Sequence, residues 1–136
     1  MRSALLSSPE PHTLTAEEYL HAKLDYEATC ISLKTMLDKT PGRLVLLDVR
    51  DAAAFAKEHI SGAVNIPEKE LRYRIAELPK GKLVVTYSWD GDCALAPKAA
   101  LALAHHGFKV QFLSGGLTEW QRRELPVEKR IETRKH

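Results

Sequence analysis

Two cysteines, Cys30 and Cys93, are all that this 136-residue chain contains. Two thiols cannot form the disulfide framework of a small secreted scaffold, and their spacing fits no zinc motif. Net charge is also scarce. A formal charge of +2 leaves no strong electrostatic case for nucleic acid or an anionic membrane as partner. Long apolar runs are missing too. Near the N-terminus only Ala4-Leu5-Leu6 is apolar, which is too short for the core of a secretory signal. No run approaches the roughly 20 residues that cross a bilayer. The serine-hydrolase pattern G-x-S-x-G does not occur, nor does a phosphate-cradling P-loop. These absences set the expectations: a reducing, cytoplasmic compartment, no metal, no organic cofactor, no nucleic acid and no membrane. They leave the oligomeric state open.

What is present is the composition of one globular domain, 44% hydrophobic and 28% charged. Residues 1–12 read as a flexible tail and 13–28 as an N-terminal helix. Residues 29–127 read as the main domain, and 128–136 as a charged, solvated tail in which Lys129, Arg130, Arg134 and Lys135 alternate with Glu128 and Glu132. Thr15 followed by Glu18 is a capping box, so a helix is expected from there to about Glu27. Cys30-Ile31 reads as a short extended piece, and Ser32 as the cap of a helix reaching Lys39.

The run Leu44 to Leu47 reads as a strand buried on both faces. Asp51 caps a helix, Ala63 to Ile66 is a brief strand, and Glu68 to Leu78 is helical. Leu83 to Tyr87 and Lys109 to Leu113 are further strands. A helix lies between them from about Ala94 to His106, with Gly107 as its left-handed stop. Pro97 is tolerated only in that helix's first turn. Leu117 to Arg123 forms a last helix, and Pro126 ends the ordered part. Strands alternating with helices predict an α/β fold of three layers, a central parallel sheet of about five strands with helices on both faces.

Chemistry is expected where the Leu83–Tyr87 strand meets its helix, because open parallel sheets bind ligands beyond the carboxyl ends of their strands. The loop is Ser88-Trp89-Asp90-Gly91-Asp92-Cys93, with Ala94 opening the helix. Free N–H groups at a helix start favour an anion or a thiolate. Ser88 is a poor nucleophile without a base, and His59 or the His105-His106 pair could serve only if the fold brings them close. Asp90 and Asp92 oppose an anionic ligand. Cys93 is either a reactive thiol at a helix start or a small packing residue.

The motifs also resemble a known family. Leu47-Asp48-Val49-Arg50, then Ala54-Phe55, then His59-Ile60-Ser61-Gly62-Ala63-Val64-Asn65-Ile66-Pro67 are similar to the D-V-R and G-H-I-x-G-A-x-N-I-P signatures of rhodanese-like domains, with Glu58 in place of the first Gly. Val84-Val85-Thr86-Tyr87 before a six-residue loop, Gly107-Phe108, and Gly115-Gly116-Leu117-Thr118-Glu119-Trp120 resemble the later motifs. The match spans roughly residues 30 to 127. Trp89, Cys93, Ala96, Lys98, Ala99 and Ala100 further resemble members whose loop reads C-W-x-x-x-C-N-x-A-x-K-A-A.

The resemblance implies sulfane-sulfur transfer through a persulfide on a cysteine at the first loop position. This chain has Ser88 there. An alcohol cannot replace a soft thiolate in sulfur–sulfur exchange, so standard sulfurtransfer is expected to be absent. Three readings stay open: a non-catalytic binding or regulatory module, an active sulfurtransferase in which Ser88 is an engineered replacement for Cys, or a site in which Cys93 carries the sulfur. In each, Trp89 to Ala94 line the site, and Asp48, Arg50, His59 and Lys98 support it. The implied partners are a small sulfur donor or anion and an unidentified protein acceptor.

Overall fold

The computed structural model describes residues 13–130. Helix α1, Ala16–Tyr26, opens on the expected capping box: Thr15 Oγ1 accepts the Glu18 N–H, and Glu18 Oε1 accepts the Thr15 N–H. The extended piece then comes earlier than expected. Strand β1 is Glu27–Ala28, and Cys30-Ile31 lie in the first turn of α2, Cys30–Lys39. The reason is a second capping box. Thr29, not Ser32, is the cap, and Ser32 returns the bond to the Thr29 N–H.

A 3-10 turn, Pro41–Arg43, leads into β2, Leu44–Asp48. Asp51 accepts the Ala54 N–H at 2.8 Å and starts α3, Ala52–Lys57. Strands β3, Glu58–Ile60, and β4, Val64–Asn65, follow. The helix expected over Glu68 to Leu78 is instead three short pieces: 3-10 turns at Glu68–Glu70 and Ile75–Glu77 around α4, Leu71–Arg74. No side chain caps any of the three. The apolar spacing still delivers Leu71 and Leu78 to the core, so packing is kept while the backbone tightens.

The rest of the chain runs through β5, Leu83–Tyr87, α5, Leu95–His105, β6, Lys109–Leu113, and α6, Gly116–Arg122. Order does not stop at Pro126. Residues Val127–Lys129 form β7, antiparallel to β3, with His59 opposite Glu128. The charged segment therefore begins inside a ladder, with Glu128, Lys129 and Arg130 still exposed. Residues 1–12 and 131–136 lie outside the described residues.

The main sheet has five strands in the order β1-β6-β5-β2-β4, and every pairing in it is parallel. Side chains alternate across it. Leu46, Val85 and Tyr87 join Leu33, Leu117 and Trp120 in one core. Leu47 and Val84 join Leu71, Ala99 and Leu103 in the other. The result is the three-layer α/β architecture, with each buried Leu or Val contributing about 1.5–3 kcal/mol. Three features place the site: β2 and β5 end side by side, at Asp48 and Tyr87; the loop after β5 opens there; and α6 starts against that loop.

Candidate active site

The 88–93 loop is built by α6 as much as by β5. At its first turn α6 has N–H groups with no partner inside the helix. Leu117 donates to Ser88 O and Thr118 to Trp89 O, both at 2.9 Å. These bonds require the two backbones to touch. Gly116, at φ +61°, permits it: a Cβ there would lie 2.7 Å from both Ser88 O and Asp90 N.

Ser88 is buried, with 1% of its surface exposed. Its hydroxyl lies 3.1 Å from the Cys93 Sγ, within hydrogen-bond reach. The fold does not bring the candidate bases to it. His59 stacks on Phe55 and has Nδ1 2.8 Å from Phe55 O and Nε2 3.2 Å from Glu128 Oε1. His105 and His106 pack edge to face at the far end of α5. His59 thus tethers α3 to β7 and is a framework residue.

Asp90 works inside the loop. Its Oδ1 accepts the N–H groups of Asp92 and Cys93, at 3.0 and 3.1 Å. Two of the donors that an anion would use are therefore held by a carboxylate of the same loop. Gly91, Asp92 and Ala94 are exposed, and Ala94 precedes α5 without a capping side chain. Lys98, in the first turns of α5, is exposed.

Beneath the loop sits a buried ionic cluster. Asp48 and Arg50 are 0% and 1% exposed. Arg50 Nη2 donates to Asp48 Oδ2 at 2.7 Å and to Glu58 O at 2.6 Å, and its Nε is 3.1 Å from both Asp48 oxygens. The guanidinium also lies 4.4 Å from the centre of the Trp89 ring, a cation–π contact that ties the loop to the sheet. Asn65 Nδ2 donates to Asp48 O and Arg50 O and holds the strand end. The Tyr87 hydroxyl accepts the Ile60 N–H at 3.0 Å. Burial, followed by the nearby Asp48 carboxylate, pushes its phenol well above the ordinary tyrosine range. The structure thus brings together Asp48, Arg50 and Trp89 on one side and Ser88 and Cys93 on the other.

Two charged lining residues escaped the sequence reading of the site. A cavity of about 330 Å³ beside the loop is bounded by Asp90, Gly91 and Cys93, by Ser114-Gly115, and by Lys23 and Glu27 of the N-terminal segment. Lys23 Nζ and Glu27 Oε2 are 2.8 Å apart. The i,i+4 pair was visible in the sequence, but its position over the loop depends on the pairing of β1 with β6.

This loop, framed by the Asp48–Arg50 pair and the α6 start, coincides with a family match. The rhodanese-like domain model covers residues 29–123. The chain belongs to the rhodanese-like domain family. The BH2092 protein from Bacillus halodurans is similar in structure, with a TM-score of 0.77 at 33% identity over 85% of each chain. Among curated proteins, a sulfurtransferase from Allochromatium vinosum is 33% identical over 62% of this chain and 78% of its own length. The HTH-type transcriptional regulator Rv0324 of Mycobacterium tuberculosis is 38% identical over 64% of this chain, which spans only 38% of that regulator. Among the described residues of this rhodanese-like chain, no helix is long and apolar enough to cross a membrane.

Proposed function

We propose that this is a rhodanese-like domain whose persulfide position is occupied by Ser88, so that the chain does not carry out standard sulfane-sulfur transfer. The observation that carries the reading is the placement of Ser88 Oγ: buried, at the carboxyl end of β5, in contact with Cys93 and under a loop held by α6. Similarity to the sulfurtransferase from Allochromatium vinosum and, at 32% identity, to a thiosulfate sulfurtransferase from Coxiella burnetii supports the reaction class. With a thiolate at this place, the sulfur attacks the sulfane sulfur of thiosulfate. A new S–S bond forms, the old one breaks, and sulfite leaves with the electron pair. Cyanide then takes the outer sulfur as thiocyanate and returns the thiolate. A serine hydroxyl stays protonated near neutral pH and offers a hard oxygen, so the first bond does not form.

A second reading, a non-catalytic binding or regulatory module, is favoured by Asp90. Its carboxylate already occupies the Asp92 and Cys93 N–H groups, which weakens the loop as a receptor for an anionic donor or for any other small anion. The acceptor protein belongs to the same proposal.

The test is thiosulfate-to-cyanide sulfurtransfer by the chain and by Ser88→Cys, with Ser88→Cys/Cys93→Ala beside them. The paired variant is needed because two thiols at this separation can oxidise to a disulfide and mask activity. Turnover by the Cys forms alone supports an intact sulfur site, whether Ser88 is natural or an engineered replacement. Inactivity of all three favours the binding module. Turnover by the unaltered chain, lost when a Cys93→Ala single variant is then measured under the same conditions, overturns the proposal and makes Cys93 the carrier.

A further inference from the structure

A row of cations crosses the opposite end of the sheet from Ser88. Arg43 immediately precedes β2, Lys82 immediately precedes β5, and Lys109 begins β6. Leu44 is in register with Leu83, and Leu83 with Lys109. Three neighbouring strands, spaced about 4.8 Å apart, therefore start with a basic residue at nearly the same level. Lys80 adds a fourth from the turn at Gly81, whose φ of +89° reverses the chain. All four line an open groove of about 850 Å³, and no carboxylate lines it among the described residues.

These charges are not neutralised within the described fold. Among the described residues Arg43, Lys82 and Lys109 have no ion-pair partner, whereas Arg74 sits between Glu70 and Glu77, and Arg123 pairs with Glu119. Lys80 donates to the His106 carbonyl at 3.1 Å and lies 5.0 Å from the centre of the Phe108 ring. Like charges on adjacent strands work against folding, so the row is not explained by stability. The low net charge of the chain conceals it, because charge here is segregated rather than large.

We propose that this groove docks an acidic segment of a partner polypeptide, whose carboxylates meet Arg43, Lys82 and Lys109 while the Ser88 loop at the other end stays open. The chemistry favours carboxylates over a nucleic acid. Three of the four cations are lysines, which act as point charges; only Arg43 offers the planar fork suited to phosphate. No aromatic residue lines the groove to stack a base. The inference is independent of sulfur chemistry at Ser88.

The experiment is fluorescence anisotropy of a labelled octaglutamate peptide titrated with the full chain at low and at physiological salt. Binding that weakens with salt is expected, reduced about tenfold or more (about 1.4 kcal/mol or more) in Lys82→Glu/Lys109→Glu. Lys82→Gln/Lys109→Gln should lose less, and Lys69→Glu, an exposed charge outside the groove, should change little. Because the reversals relieve repulsion, thermal melting should be unchanged or raised; if the Glu pair fails to fold, the Gln pair carries the test. Absent binding, binding insensitive to the groove variants, or an equal loss in Lys69→Glu overturns the proposal. So does tighter binding of a single-stranded oligonucleotide of matching charge.

Discussion

Asp48 and Arg50 show how much of the site rests on two side chains. Both are buried, and each satisfies the other. Asp48→Ala leaves a guanidinium in the interior with only a backbone carbonyl and an indole face as partners. The expected cost is about 3–5 kcal/mol, a large part of the 5–15 kcal/mol typical of a domain, read as a shift of the urea midpoint. Trp89→Ala should cost less, about 0.5–1 kcal/mol, because Trp89 is 48% exposed. Gly116→Ala tests the contact between α6 and the loop. Its Cβ would meet backbone atoms that cannot swing away, so a loss of about 1–3 kcal/mol is expected in thermal or urea melts. The added disturbance should also appear in the amide NMR signals of Ser88 to Asp90. The motif spelling at Asp48, Arg50, Gly115 and Gly116 was readable in the sequence; that Gly116 touches Ser88 and Asp90, more than 25 positions earlier in the chain, was not.

Elements differ in what they contribute. Helix α1 has a complete capping box at its N-terminus but no buried residue, and Leu24 is 79% exposed. Its local signals were strong enough to read directly. Its place in the fold was not, because it is held by the two-residue strand β1 and by Gln111 Nε2 donating to Asp25 O. A chain beginning at Asp25 should therefore melt within a few degrees of the full chain, a change of about 1 kcal/mol or less. Leu33→Ala, at a fully buried position of α2, should cost about 2–5 kcal/mol, and calorimetry of the two variants makes the comparison. The segment after Pro126 shows the opposite problem. Alternating Glu and Lys carry no burial signal, so β7 was invisible until β3 provided an antiparallel partner. The broken helix over 68–78 has a similar cause: its apolar period was correct, but period alone does not distinguish one helix from short turns that bury the same residues.

For the molecule as a whole, pH exposes the buried cluster. The Tyr87 phenol is held above its ordinary value of 10.0, chiefly by burial and then by Asp48. The unfolded chain releases that proton near pH 10, while the folded chain keeps it. The stability linked to this group is complete below pH 10 and falls as pH rises past it, by about 1.4 kcal/mol per pH unit. Urea midpoints measured from pH 8 to about 11 should therefore fall more steeply for the wild type than for Tyr87→Phe, which starts lower because the Ile60 N–H loses its acceptor. The same cluster stands at the carboxyl ends of the strands, and the basic row stands at their other ends. The parallel arrangement separates the two by the length of a strand.

The amino-acid sequence by itself determined the alternation of apolar strands with capped helices, and hence the parallel three-layer fold. It also placed Ser88 at the head of the loop after β5. These are local matters: periodicity, caps and turn residues act within a few positions of themselves. The tertiary structure alone decided which distant residues meet. It set Cys93 against Ser88, Arg50 beneath Trp89, Lys23 and Glu27 beside the loop, and Arg43, Lys82 and Lys109 in one row. Strand register and helix packing control those meetings, and both follow from burying two apolar faces of one sheet at once.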